Sequence, residues 1–172
     1  MFKTLAAALF CGAMLLTLTA CGSDNNNDKG GKKDIETVTG VQAKYYVNIK
    51  EESFEGFTFE IEYTNESGQM EKVALDGTSK FEKSVLINHL PVRVELVVYA
   101  TLRDKATLTK PEYYIGLEHG IGISNATSDG RLLTTRPLVP ETEELSYSVS
   151  NKKGVVTFQE TFVVTGDGNV SW

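Results

Sequence analysis

The chain has 172 residues, 41% of them apolar and 23% charged. That is the composition of one packed domain rather than of a disordered or collagen-like chain. Its formal net charge is -6, and an acidic surface repels phosphate backbones and anionic headgroups, so no nucleic acid is expected as a partner and no polybasic attachment to lipid. The only cysteines are Cys11 and Cys21, so residues 22–172 can hold neither a disulfide framework nor a Cys-based zinc site.

Residues 1–20 read as a targeting segment. Lys3 supplies the positive start, and an apolar run follows from Leu5 to Leu18. A run of about 14 residues suits a signal peptide but is too short to span a bilayer core of ~30 Å at ~1.5 Å per residue. It ends in Leu18-Thr19-Ala20-Cys21, which resembles the lipobox of bacterial lipoproteins. The resemblance implies that the Cys21 thiol accepts a diacylglyceryl group and that cleavage before it makes Cys21 the new N-terminus. Several acyl chains then give stable anchoring where one chain would be marginal.

Residues 21–36 join this lipidated cysteine to a polar linker rich in Asn, Asp and Gly, which buries too little apolar surface to offset its ordering entropy. Gly22, rather than Asp, follows the anchor, which in the lipoprotein comparison implies the outer membrane. The run from Ser23 to Asp28 resembles the acidic stretch of surface-exported lipoproteins, so display at the cell surface is expected over a periplasm-facing position. Asp24, Asn26 and Asp28 have the spacing of the first calcium-loop ligands. Lys29 stands where Gly is required and Ile35 where the bidentate Glu should be, so no calcium site is expected.

Residues 37–172 read as one all-β domain, since alternation with a period of two dominates from Val41 onward. Val41, Ala43, Tyr45, Val47 and Ile49 share a face of the first strand, and Phe57, Phe59, Ile61 and Tyr63 a face of the second. Strands follow over 69–75 and 81–87, with turns at Asn65-Glu66-Ser67-Gly68 and Asp76-Gly77. Pro91 opens a fifth strand, which Val97 and Tyr99 suggest is central and covered on both faces. A sixth runs from Glu112 to Glu118, with a bend or bulge at Gly116, Gly120 and Gly122. Residues 131–143, with Pro137 and Pro140, read as a crossing connection. Leu145, Tyr147 and Val149 make a seventh strand, and Asn151-Lys152-Lys153-Gly154 turns into a last strand over 155–164. About eight short strands predict a two-layer antiparallel β-sandwich, immunoglobulin-like or related, with an eight-stranded lipocalin-like barrel as the alternative. The long stretch over 124–143 favours the sandwich.

Catalysis usually draws on His, Cys or paired carboxylates in a cleft. His89 and His119 are the only histidines; both are expected in surface loops, and no metal or other cofactor is expected. Glu60 and Glu62 read as a solvated outer face, not as a glycosidase pair. No catalytic residue is assigned. The candidate contacts are Tyr46, Tyr99 and Tyr114, which fall opposite the core pattern and could stack on sugar rings or meet a protein. The expected function is a non-enzymatic binding or scaffolding module held at the membrane by its lipid, with another envelope protein or a glycan as partner. Glycan capture is the alternative; a small-ligand barrel or a hydrolase ranks below both.

Overall fold

The computed structural model describes residues 37–151 and 154–172. The signal segment, Cys21, the linker and the calcium-like spacing within it lie outside the described residues. Among the described residues ten strands form two antiparallel sheets: β1 (Val38–Ile49), β2 (Phe57–Thr64), β3 (Met70–Ala74), β4 (Lys80–Ile87), β5 (Val92–Leu102), β6 (Glu112–Thr127), β7 (Leu132–Arg136), β8 (Glu141–Ser148), β9 (Val155–Val164) and β10 (Val170–Ser171). One sheet has the order β4-β1-β6, with β7 and β8 each pairing a different half of β6; the other runs β10-β9-β5-β2-β3. The two sheets make a sandwich, and the barrel alternative is excluded.

The alternation in the sequence explains the layers. Val41, Ala43, Tyr45, Val47 and Ile49 of β1 face Phe57, Phe59, Ile61 and Tyr63 of β2, all at 3% exposure or less. A side chain such as Phe57 or Ile61 contributes about 1.5–3 kcal/mol when fully buried. Tyr45 and Tyr63 meet at 5.3 Å between ring centroids, and the Tyr45 hydroxyl donates to the Thr64 carbonyl at 2.8 Å. Burial raises the pKa of both phenols, that of Tyr63 to about 12.

Four expectations need correction. β6 does not end at Glu118 but continues to Thr127, so His119 lies inside a strand and is 3% exposed rather than in a surface loop. Gly120 and Gly122 keep a regular register with Tyr46 and Lys44 of β1, and the irregularity falls instead at Ile123/Ser124 against β7. Residues 131–143 are not one crossing connection: β7 folds back on β6 through Ser128-Asp129-Gly130, and β8 begins at Glu141. β5 is central in its sheet, but among the described residues no second layer covers its outer face; Val97 is shielded by its own sheet, between Glu62 and Gln159.

The start of β1 lies at one end of the sandwich. Val38 pairs with Thr127 there and is close to Gly168 in the turn before β10. Residues 50–56, 77–79 and 103–111 occupy the opposite end, linked by Ile49 N–H to Ser79 O and Arg103 N–H to Gly56 O.

Candidate functional site

The three tyrosines do point outward, but not to one surface. Tyr46 and Tyr114 lie on the outer face of the β1/β6 sheet, and Tyr99 on the outer face of the opposite sheet. Tyr46 sits beside Gly120, six residues along β6 from Tyr114, which is about 20 Å at the usual strand rise. No planar trio exists. Each ring is also held by neighbours. The Tyr99 hydroxyl donates to Glu62 at 2.8 Å, and the Lys72 ammonium sits 5.4 Å from the Tyr99 ring while pairing with Glu60 and Glu62. The Tyr99 hydroxyl and then Lys72 hold the Glu62 carboxyl below its ordinary range. Glu60 and Glu62 are therefore part of an exposed network, as expected of an outer sheet face. Tyr114 accepts from Lys50 at 3.3 Å, and Lys50 pairs with Glu144. The Tyr46 hydroxyl donates to Glu118 at 3.2 Å.

Two of the three border separate grooves: Tyr114 one of about 360 Å³ with Glu52, Glu55, Lys110 and Glu112, and Tyr46 a larger one. The absence of side chains at Gly120 and Gly122 lets residues 137–140 lie across the sheet: a Cβ on Gly122 would fall 2.9 Å from Leu138 Cβ, and one on Gly120 3.3 Å from the Val139 carbonyl oxygen. Leu138 then forms one wall of a groove of about 440 Å³, with Tyr46, Lys44, Glu82 and Ser84 around it.

A second polar arrangement lies between the sheets, on the side where β6 and β7 face β9. At Ile121, between the stretches of β6 paired by β8 and by β7, the Ile121 N–H donates instead to Glu160 Oε2 of the other sheet at 2.9 Å. The other carboxylate oxygen accepts from Arg136 Nη2 at 3.0 Å. Burial pushes the Glu160 carboxyl up, while Arg136 and the Ile121 N–H pull it back. The Arg136 guanidinium sits against both Phe162 and Trp172, at 4.3 and 4.4 Å from their ring centroids, and the two rings meet each other at 4.9 Å. His119 lies nearby against Phe158, with neither ring nitrogen hydrogen-bonded; burial lowers its pKa, and Glu143 and Glu141 oppose that shift. Sequence reading missed this cluster, although Glu160 falls in phase with Phe158 and Phe162, and His119 in phase with Leu117 and Ile121.

Among the described residues no three His, Cys, Asp or Glu side chains are grouped to hold a metal ion. Comparison with protein-family models, with curated proteins and with solved structures finds no significant match.

Proposed function

We propose that this chain is a lipid-anchored envelope protein whose β-sandwich binds or scaffolds a partner without catalysing a reaction. The observation that carries the reading is the lipobox-like Leu18-Thr19-Ala20-Cys21 at the end of a signal-like apolar run. It is consistent with the fold: β1 starts at one end of the sandwich, so a tether entering there would leave the loops at the opposite end on the far side of the domain. Anchoring in the outer membrane with display at the cell surface is part of the same proposal. Growth with an alkyne-labelled palmitate tests it. Label should enter the chain and disappear in Cys21→Ala, and protease added to intact cells should remove the domain. An unlabelled parent chain would contradict the reading.

Glycan capture is the second reading, favoured by one feature: Tyr46 forms an aromatic wall beside polar Lys44, Glu82 and Ser84 in the 440 Å³ groove, a combination that suits a sugar ring. Affinity electrophoresis through polysaccharide gels should then show retardation that Tyr46→Ala abolishes. Equal mobility of parent and variant in every gel would remove this reading.

A further inference from the structure

Among the described residues, no strand pairs the outer side of β9 along most of its length. β5 pairs it from Val155 to Val164 on one side, whereas β10 covers only Val163 and Val164 on the other. The direction of its free groups follows from the ladder. Gly154 O accepts from Leu102 N–H on the β5 side, and Thr165 N–H donates to Asn169 O on the β10 side. Alternation then turns the even-numbered residues of β9 to β5 and leaves the N–H and C=O groups of Val155, Thr157, Gln159 and Thr161 directed at the open edge.

Sheet edges of soluble proteins are normally guarded by charge, proline, bulges or short length. The other edges here follow that rule: β4 carries Lys80, Glu82 and Lys83, β3 carries Glu71 and Lys72, β8 carries Glu141, Glu143 and Glu144, and β7 is five residues long. β9 has ten residues, no proline and no bulge. Its single charge, Glu160, is turned inward to Arg136. Apolar exposure gathers on the same side. Among the described residues, the strongly exposed large apolar side chains other than Met70 and Leu86 belong to β7, β8, β9, residues 137–140 or Trp172, the residue after β10. Val156 and Phe158 of β9 are only partly buried, and Leu145 of β8 is 40% exposed.

We propose that the β9 edge takes an extended, basic segment of another protein as an added strand of its sheet. The proposal rests on reading the domain as a binding module, and it names the partner. The added strand would meet the free groups of Val155, Thr157, Gln159 and Thr161, the mode of recognition in which backbone bonds give affinity and alternate side chains give specificity. Its apolar side chains would turn inward over Val156 and Phe158. Its basic residues answer the two carboxylates of β8, Glu141 and Glu143, that fall in phase with inward-facing Tyr147 and act on His119. A second copy fits less well, because it would bring its own Glu141 and Glu143 to a rim that is already acidic, and like charges at an interface are repulsive.

The full chain in detergent is titrated with a synthetic peptide alternating Val and Lys and, separately, with one alternating Val and Glu. Amide exchange is read at Thr157, Gln159 and Thr161. The Val/Lys peptide should slow exchange at these amides by at least about tenfold, and the Val/Glu peptide should not. Thr157→Pro removes an edge donor and keeps every bond to β5, as proline on an edge strand allows; it should weaken Val/Lys binding at least about tenfold with an unchanged circular-dichroism melt. Glu141→Lys with Glu143→Lys should reverse the peptide preference and keeps the test decisive if the proline variant unfolds. No protection by Val/Lys, equal protection by both peptides, or protection without peptide in a self-associated chain would each overturn the proposal. Palmitate labelling at Cys21 is read separately, so a failed edge and a failed anchor give different results.

Discussion

Removing the Glu160 carboxylate should destabilise the domain more than neutralising it. The carboxylate is 8% exposed and satisfies two donors at once, the Ile121 N–H and the Arg136 guanidinium. Glu160→Ala orphans a buried N–H, which costs about 1–3 kcal/mol. It also strips Arg136 of its counter-charge; breaking a fully buried pair costs about 3–5 kcal/mol, and less is expected here because Arg136 stays a quarter exposed and stacked on two rings. A loss of about 3 kcal/mol follows, or roughly 10 °C in Tm for a domain of this size. Glu160→Gln keeps one acceptor oxygen, enough for either the Ile121 N–H or Arg136 but not both, and sheds the desolvation of the charge, so it should cost about 1–2 kcal/mol, less than alanine. Thermal melts of the three proteins at neutral pH read the difference directly. If alanine and glutamine melt together, or alanine melts within about 2 °C of the parent, the carboxylate does not join the sheets as described.

His119→Leu should stabilise the fold by about 1–2 kcal/mol, because two buried ring nitrogens without partners are replaced by an apolar side chain; chemical denaturation checks this, and a loss of stability would show that the imidazole is satisfied. Burial lowers the folded pKa of His119 from its ordinary 6.5. The folded and unfolded chains are both neutral there at higher pH, and as pH falls through about 6.5 the unfolded chain takes up the proton first, so stability declines by up to about 1.4 kcal/mol per pH unit. His119→Leu should flatten that decline. Gly122→Ala should cost about 2 kcal/mol, since the new Cβ would sit 2.9 Å from Leu138 Cβ and 3.0 Å from its backbone nitrogen; a neutral substitution in the same melts would mean that residues 137–140 do not lie against the sheet.

The sandwich was legible because its core strands alternate without interruption: β1, β2, β5 and β9 fall where the period of two puts them, and Asn65–Gly68 and Asp76–Gly77 turn as their residues dictate. Reading failed where a polar residue or glycine occupied a strand position. Gly120, Gly122 and His119 look like a bend in isolation, but tertiary contacts override that preference: the glycines make room for residues 137–140, and His119 continues the inward row of Leu117 and Ile121. The prolines at 137 and 140 marked a real break, yet β7 and the start of β8 on either side were missed, because short edge strands carry little apolar alternation of their own. The outward direction of Tyr46, Tyr99 and Tyr114 was readable from parity. Their separation was not, since parity says nothing of which sheet a strand joins.

Mass spectrometry of the N-terminal peptide from membrane-extracted protein is the most direct measurement. The mature chain should begin at Cys21 and carry a thioether-linked diacylglyceryl group. A free thiol at that residue, or an uncleaved precursor in the soluble fraction, would contradict the anchoring on which the proposed function stands.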